Sequence, residues 1–415
     1  MRTTVGIIGG GPAGLLLARS LHRTGIDCVV LESRTRAYVE QRQRAGMLEQ
    51  GTVDALRECG AADRLEAEGL VHHGIELRFG RARHRVDFPA LTGGRTVTIY
   101  AQTEIVKDLV GLQLAEGPPL LFEAEAVAVE NTGSAEGREG VEGRGSGAPL
   151  VRFVHEGREK TLTCDYVVGC DGFHGIARDA FPAAVSRTYT HEYPYSWLGI
   201  LADVPPSCDE LIYARGPGGF ALHSMRSTSV SRLYLQVPTG TEADDWPDER
   251  IWDELDARFA IDGDWQLERG PITAKSVTPM RSHVHEPMRH GRLFLAGDAA
   301  HIVPPTGAKG LNLAVSDVRV LARGFAELHR SGSTRLLDSY SRVCLDRVWQ
   351  ATRFSYDMTT MFHTRPDGDA FEDRVQLARL RRITQSRSAA AELAANYTGI
   401  PLAAEADAPG RIGER

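Results

Sequence analysis

Cysteine is scarce in this chain. Six of the 415 residues are cysteines, and no two of them have a Cys-x-x-Cys spacing. This pattern excludes a disulfide framework and a cysteine-rich metal module. Long apolar runs are missing as well, and because a membrane-spanning helix needs about 20 apolar residues in a row, no segment is predicted to cross a bilayer. The apolar N-terminal stretch is interrupted by glycines and lacks the features of a signal peptide. We therefore expect a cytoplasmic protein with reduced thiols.

An excess of positive charge is also missing. The chain has 48 Lys and Arg residues against 55 Asp and Glu residues, a net charge of −7. Such a balance gives no basic surface for nucleic acid and no polybasic segment for an anionic membrane. The histidines show neither HxxxH nor HExxH spacing, so no metal site is predicted. We expect small-molecule partners instead.

The composition that remains is that of a folded globular protein, with 42% apolar and 25% charged residues. The length predicts two or three domains. The chain begins with a β-α-β pattern: a buried strand over residues 3–8, a glycine-rich turn, a helix over 13–23 and a second buried strand over 27–31. Units of this kind build parallel sheets.

The later segments follow different patterns. Residues 51–67 are predicted to form one helix, and strands near 122–130 and 150–155 are predicted to form a hairpin. Between 185 and 290, short alternating segments with one helix at 248–259 favour a mainly antiparallel sheet. The fold class is therefore α/β, with a Rossmann-like domain on a parallel sheet, a mainly antiparallel α+β domain and a helical C-terminal region.

The predicted domain boundaries follow from these patterns. Residues 1–180 form the first part of the nucleotide-binding domain and include a flexible Gly-rich insertion at 131–149. Residues 181–290 form the antiparallel substrate domain, 291–400 return to the first domain and continue into the helical region, and 401–415 are a tail.

The strongest motif is Gly9-Gly10-Gly11-Pro12-Ala13-Gly14, which follows a strand and opens a helix. Gly9 permits the tight turn, Gly11 lets the backbone approach a pyrophosphate, and Gly14 lets helix and strand pack closely. Glu32, at the end of the second strand, is placed to bind ribose hydroxyls. Together these residues predict a dinucleotide site.

Two further motifs come later in the chain. Gly297-Asp298 follows a buried strand, and the loop from Pro304 to Asn312 leads into a helix whose N-terminus favours negative charge. An Asp171-Gly172 turn ends another strand near mid-chain. Alone, each of these is also compatible with a structural turn. Their order along the chain carries more information than any one of them.

That order, with the segments 41–51, 169–175 and 291–313, resembles the single-component FAD-dependent aromatic hydroxylases, in particular the members that act on 4-hydroxybenzoate. The similarity runs from the first strand to about Pro401. The resemblance implies FAD as cofactor, NADPH or NADH as a transient reductant, O2 as co-substrate and a homodimer. The implied reaction is hydroxylation of 4-hydroxybenzoate at C3 through a C4a-hydroperoxyflavin, giving 3,4-dihydroxybenzoate.

The resemblance also implies roles for individual residues. The substrate carboxylate is expected at Arg226, with Ser224 and Tyr234 as hydrogen-bonding helpers. The phenol is expected at Tyr213 and at the carbonyl of Pro305, with Tyr397 and His72 passing its proton to solvent. The expected FAD contacts are Gly9, Gly11, Gly14, Glu32, Arg42, Arg44, Gln102, Asp298, Lys309, Gly310, Leu311 and Asn312. The expected nicotinamide contacts are Ser33, Arg34, Tyr38, His174, Arg178 and Arg281.

These residue types suit the chemistry. Arg binds a carboxylate with two parallel bonds, which Lys cannot do. Tyrosine, with a reference pKa of about 10, can share a proton with a phenol, and histidine, near 6.5, can pass it to water. Taken singly, an arginine such as Arg226 would more often be a surface charge, and Tyr213 and Tyr397 would more often be packed core residues. Ser33 replaces the Arg of the NADPH-specific pattern, so we expect NADH to be accepted alongside NADPH.

Other functions stay open at this point. One alternative is the same chemistry on an amino- or hydroxy-substituted 4-hydroxybenzoate. Another is a flavin oxidase, dehydrogenase or halogenase on the same fold, although the Trp-x-Trp segment expected of a halogenase is missing from this sequence. A third is a flavin-binding protein without catalysis, which a colourless purified protein would support.

Overall fold

A computed structural model of the protein describes residues 1–42, 46–133 and 147–400. The predicted FAD contact Arg44, most of the predicted insertion and the predicted tail lie outside these residues. The strands, in chain order, are β1 Arg2–Ile8, β2 Cys28–Leu31, β3 Met47–Glu49, β4 Leu70–His72, β5 Gly74–Phe79, β6 Ala82–Asp87, β7 Val97–Ile99, β8 Leu120–Leu121, β9 Ala124–Glu130, β10 Leu150–His155, β11 Arg158–Gly169, β12 Arg187–Ala202, β13 Leu211–Gly216, β14 Gly219–Met225, β15 Ser231–Pro238, β16 Ile272–Glu286, β17 Arg289–His290, β18 Leu293–Leu295 and β19 His301–Ile302.

Twelve α-helices accompany these strands in the described ranges. They are α1 Pro12–Arg23, α2 Arg36–Gln41, α3 Gln50–Glu58, α4 Asp63–Glu68, α5 Phe88–Thr92, α6 Gln102–Glu116, α7 Asp248–Phe259, α8 Gly310–Ser331, α9 Arg335–Asp338, α10 Tyr340–Phe362, α11 Ala370–Gln385 and α12 Arg387–Thr398.

The first sheet is the parallel sheet that the β-α-β pattern predicts. Its order is β17-β18-β11-β1-β2-β8, and β1 pairs in parallel with both β2 and β11. Its central strands are buried on both faces, as parallel strands covered by helices are. Helices α1, α6 and α8 pack with them in one core. The predicted hairpin is confirmed as β9 and β10, which pair antiparallel at the edge of this sheet.

The second sheet has the order β19-β16-β12-β15-β14-β13-β5-β6 and is antiparallel apart from the β13–β5 pair. One face packs on α7, which has the predicted bounds. The other face packs on α10 and α12. The sheet also contains β5 and β6, from residues 74–87, and so combines strands from two predicted domains. The predicted boundaries at 180 and 290 stay a prediction.

The prediction of one helix over residues 51–67 is wrong, because α3 and α4 are separate helices. Gly60 has a φ of +74°, and the N–H groups of Gly60 and Ala61 bond back to the carbonyls of Arg57 and Leu56. This is the left-handed ending that glycine gives a helix. A third, small sheet has the order β3-β7-β4. No helix in the described ranges is long and apolar enough to cross a membrane.

Candidate active site

The glycine-rich turn lies between β1 and α1, and its three motif glycines have different surroundings. Gly9 has a φ of +106°, and a Cβ there would lie 2.3 Å from the Cys170 carbonyl oxygen. At Gly14, a Cβ would lie 2.0 Å from the Gly9 carbonyl oxygen. Gly11 caps α1, and nothing lies within 4 Å of its Cβ position. The turn is therefore crowded at Gly9 and Gly14 and open at Gly11, which gives an approaching pyrophosphate the space it requires.

The carboxylate of Glu32 is buried at the end of β2. One oxygen accepts the N–H of Gly10 at 2.7 Å, and the other accepts the N–H of Arg34 at 2.7 Å. These two bonds join the glycine-rich turn to the β2–α2 loop. They fix the position of an acidic group where the motif predicts a ribose contact.

The glycine-rich turn and Glu32 form the first part of a candidate nucleotide cradle. The Gly297-Asp298 turn and the start of α8 form its second part. Asp298 is exposed, and the Gly297 N–H donates to Asp317 on α8 at 3.0 Å. No side chain caps the N-terminus of α8, and the space in front of Gly310 is open. Unpaired N–H groups at such an end attract a negatively charged ligand.

Lys309 and Asn312 are turned inward at this helix end. The ammonium of Lys309 bonds Glu49 at 2.5 Å and the Tyr397 carbonyl at 3.1 Å, and burial lowers its pKa. The amide oxygen of Asn312 accepts from the Glu49 N–H at 2.9 Å and the Thr52 hydroxyl at 2.7 Å. Because its amide nitrogen also bonds protein carbonyls, we expect Asn312 to meet a flavin through its backbone.

The other predicted FAD residues lie on neighbouring elements. Gln102 is the first residue of α6 and is half-buried, and Arg42 is exposed at the end of α2. The open turn at Gly11, the fixed acid Glu32 and the uncapped α8 together suit the phosphates, ribose and ring of FAD. The residues present therefore fit this cofactor.

The candidate substrate side chains lie on one face of the second sheet. Tyr213 on β13 stands opposite Leu222 on β14, which in turn stands opposite Tyr234 on β15. Ser224, two residues beyond Leu222, stands opposite Arg232. Since side chains alternate along a strand, the two tyrosines, Ser224 and Arg232 share this face. Arg226 follows directly after β14.

Tyr213 and Tyr397 are both buried and form a polar contact at this face. Their hydroxyl oxygens are 2.7 Å apart, and the Tyr213 O–H donates to the Thr306 carbonyl at 3.0 Å. Burial raises the pKa of Tyr213 well above its ordinary value, and Tyr397 adds to the rise. Pro305, whose carbonyl is predicted to face the phenol, is exposed beside Thr306 in the same short helical turn.

Arg226 is half-buried next to the first turn of α6. Its Nη2 donates to the Thr103 hydroxyl at 2.6 Å. Burial lowers the pKa of Arg226, and the nearby charge of Arg232 lowers it further. Arg232 also lies over the ring of Tyr234 at 5.3 Å. The site is therefore positively charged around the predicted carboxylate position.

His72, at the end of β4, is buried, and neither ring nitrogen has a hydrogen-bond partner among the described residues. Burial lowers its pKa to about 4. The imidazole is thus neutral near pH 7. The structure brings Tyr213 and Tyr397 together but shows no direct bond from either to His72.

The predicted nicotinamide contacts fall into two groups. Arg178 and Arg281 lie over the Phe173 ring at 5.0 and 5.2 Å, and His174 contacts the same ring. The Asp171-Gly172 turn supports this group, since Asp171 accepts the Ala177 N–H at 2.9 Å. The second group is exposed on the β2–α2 segment and consists of Ser33, Arg34 and Tyr38.

The sequence prediction missed three contributors to the site. Arg232 could have been found, because it stands two residues before Tyr234 and must share its face in a strand. The Thr306 carbonyl and the Thr103 hydroxyl carried no such signal. Their partners, Tyr213 and Arg226, are distant in sequence. Within the described ranges, no cluster of three or more His, Cys, Asp or Glu side chains is arranged to hold a metal.

The fold and the cradle define an FAD-binding protein. Residues 2–355 match the profile of a family described as an FAD binding domain. A solved p-nitrophenol 4-monooxygenase from Pseudomonas putida superposes with a TM-score of 0.78, covering 96% of this chain and 99% of that one. At 18% identity, this likeness concerns the fold alone.

Curated relatives make the assignment more specific. A p-hydroxybenzoate hydroxylase from Acinetobacter baylyi is 44% identical over 401 residues, which cover 97% of this chain and 96% of the relative. A 3-amino-4-hydroxybenzoate 2-monooxygenase from Streptomyces platensis is 28% identical over 390 residues, 88% of this chain and 90% of the relative. The chain belongs to the FAD-dependent aromatic hydroxylases, the family of the p-hydroxybenzoate hydroxylase, and is an FAD-dependent aromatic monooxygenase.

Proposed function

We propose that the protein hydroxylates 4-hydroxybenzoate at C3 to 3,4-dihydroxybenzoate, using FAD, NADPH or NADH, and O2. One observation carries the proposal: a hydrogen-bonded tyrosine pair and a half-buried arginine lie at two ends of one sheet face. Arg226 is four residues beyond Leu222, the cross-strand partner of Tyr213, which is about 13 Å of extended chain. A para-substituted benzoate carries its phenol and its carboxylate at opposite ends of the ring, and these two groups match the tyrosine pair and the arginine respectively.

The carboxylate of the substrate is expected at Arg226, Ser224 and Tyr234. A guanidinium matches a carboxylate with two parallel N–H donors, and the two hydroxyl groups add further donors. Arg232 is close enough to affect the pKa of Arg226. Its charge therefore also favours an anionic ligand at this end.

The phenol is expected between Tyr213 and the Pro305–Thr306 carbonyls. A carbonyl can only accept a hydrogen bond, so Tyr213 donates to Thr306, and Tyr397 must then donate to Tyr213. When a bound phenol gives its proton to Tyr213, Tyr213 passes its own hydroxyl proton to Tyr397 across their contact, and Tyr397 releases its hydroxyl proton toward His72 and solvent. Each tyrosine thus ends with one proton, and Tyr213 then donates to Tyr397. The pair is thus arranged to take a proton from the phenol, which makes the ring richer in electrons.

His72 is proposed to pass this proton on to solvent. It is neutral and has acceptor capacity, because burial lowers its pKa to about 4. Such an imidazole is a weak base and releases a proton readily.

Bound FAD supplies the ring that takes electrons from the nicotinamide and delivers one oxygen atom of O2. The protein positions the ring carbon beside it and excludes water.

The other assignments in this proposal concern the reductant and the assembly. The group around Phe173 and the β2–α2 segment are proposed to bind the nicotinamide dinucleotide. Arg34 and Arg36 are the two arginines of this segment that could receive the 2′-phosphate of NADPH. Arg36 is already paired with Glu40 at 2.7 Å, which favours use of NADH alongside NADPH. We further propose that the protein is a homodimer and lies in the cytoplasm. Light scattering on the purified protein tests the oligomeric state.

The direct test is oxidation of NADPH and of NADH by the purified yellow protein, with and without 4-hydroxybenzoate, with identification of the product. Strong stimulation with 3,4-dihydroxybenzoate as product supports the proposal and ranks the two nicotinamides. Stimulation without that product makes 4-hydroxybenzoate an effector only. In that case 3-amino-4-hydroxybenzoate is the next substrate to test, given the Streptomyces relative. No stimulation contradicts the substrate assignment.

A further inference from the structure

Thr103 is a buried polar residue that the proposed mechanism does not use. It is the second residue of α6 and is only 4% exposed. Its hydroxyl oxygen accepts the Nη2–H of Arg226 at 2.6 Å. The contact joins residues 123 positions apart, on the first domain and on the substrate sheet. A bond of this length to a cation is among the stronger hydrogen bonds in proteins.

The hydroxyl also has an acidic partner. The Thr103 O–H donates to Glu104 Oε1 at 3.2 Å, and the same carboxylate binds Lys107 at 2.9 Å and Arg64 at 2.5 Å. Glu104 raises the pKa of Arg226, against the larger lowering by burial and by Arg232. Thr103 therefore stands between a half-buried arginine and the carboxylate that partly balances its charge.

The position of this contact matters for carboxylate binding. A guanidinium holds a carboxylate with two parallel bonds only when its plane has the right orientation. Arg226 follows the last residue of β14, so the strand does not itself fix the rotation of its long side chain. A bond at one Nη from a rigid helix turn limits that rotation.

We propose that Thr103 is a positioning residue for substrate recognition, orienting Arg226 toward the carboxylate of the aromatic acid. The inference rests on the proposed function, in which Arg226 binds this carboxylate. It adds that the orientation of the Arg226 side chain is fixed from helix α6, directly beside Gln102, and not from the sheet alone. Carboxylate binding is thereby linked to the helix end that is predicted to contact FAD.

Two substitutions at position 103 test the proposal. Thr103→Val removes the hydroxyl and keeps the shape, and Thr103→Ser keeps the hydroxyl. The readout is the dissociation constant of the FAD-loaded enzyme for 4-hydroxybenzoate and for the neutral 4-hydroxybenzamide, from the change in flavin absorbance. Thr103→Val is expected to weaken 4-hydroxybenzoate binding about tenfold or more and to leave the amide within about twofold. Thr103→Ser is expected to stay close to the parent.

A double-mutant cycle identifies the path of the effect. In an Arg226→Gln background, Thr103→Val is expected to have no further effect on 4-hydroxybenzoate, because it acts through the arginine. The KM for 4-hydroxybenzoate should rise more than kcat falls. Where Thr103→Val does not retain FAD, Thr103→Ala takes its place in the same comparison.

Two results overturn the inference. One is unchanged 4-hydroxybenzoate affinity in Thr103→Val. The other is equal weakening of the acid and the amide, which indicates a merely structural role. A parent enzyme that does not bind 4-hydroxybenzoate contradicts the proposed function as well. A parent that binds and hydroxylates it normally, with an unaffected Thr103→Val variant, contradicts this inference alone.

Discussion

Replacing Tyr213 with phenylalanine tests the tyrosine pair most specifically. The change removes the 2.7 Å contact with Tyr397 and the 3.0 Å bond to the Thr306 carbonyl, while the ring keeps its packing. A hydrogen bond that helps a charged group is worth about 1.5–3 kcal/mol, so the oxygen-transfer step should slow by about 10- to 150-fold. Substrate affinity should change little, since the carboxylate contacts are elsewhere.

The consequence should be uncoupling. Reduction by the nicotinamide does not need the phenol proton to leave, so NAD(P)H oxidation continues and hydrogen peroxide replaces product. The assay is the ratio of 3,4-dihydroxybenzoate formed to NAD(P)H consumed. Tyr193→Phe is the matched control, because Tyr193 is also buried and its hydroxyl lies 3.1 Å from that of Ser282. Tight coupling in Tyr213→Phe, or equal uncoupling in both variants, would refute the proton-transfer role.

Three further predictions concern the anchor, the cofactor turn and acid stability. Arg226→Ala should weaken 4-hydroxybenzoate binding by about 3 kcal/mol or more, since it leaves a carboxylate in a half-buried site without its cation; an unchanged dissociation constant in a flavin absorbance titration removes Arg226 from the anchor role. Gly14→Ala should purify without flavin, because its Cβ would lie 2.0 Å from the Gly9 carbonyl oxygen, whereas Gly111→Ala, on an open part of α6, should stay yellow. Burial lowers histidine pKa values to about 4 at three sites and about 3 at a fourth: His72, His223, His283 and His363. The unfolded chain, with histidine pKa near 6.5, binds protons in this range that the folded chain does not. The free energy of unfolding should therefore be full above pH 6.5 and fall toward pH 4, by at most about 2 kcal/mol per histidine at pH 5. Urea midpoints that stay constant from pH 7 to 5 contradict this.

Local patterns predicted much of the fold. The β1–α1–β2 unit and its glycine turn depend on neighbouring residues, and α7 has the bounds that its sequence predicts. Long-range pairings were not predictable. The parallel pairing of β5 with β13 joins segments more than 130 residues apart, and nothing in the periodicity of either strand specifies its partner. The start of α8 was predicted as a flavin contact, whereas the inward turn of Lys309 toward Glu49 depends on tertiary packing.

The candidate site shows the same division. Motifs and resemblance supplied the residue types, and the alternation of β14 and β15 placed Ser224 and Tyr234 on one face. The bond from Arg226 to Thr103 and that from Tyr213 to the Thr306 carbonyl join distant segments. Such contacts leave no periodic signal, so only the folded arrangement reveals them.

In the proposed reaction, one oxygen atom of O2 enters the ring of 4-hydroxybenzoate beside its phenol. Turnover of the purified enzyme under ¹⁸O2, with mass spectrometry of the product, tests this most directly. The expected product is 3,4-dihydroxybenzoate with a single ¹⁸O atom, in the new hydroxyl at C3, formed in a ratio near one to NAD(P)H consumed. Unlabelled product, or peroxide without hydroxylated product, would contradict it.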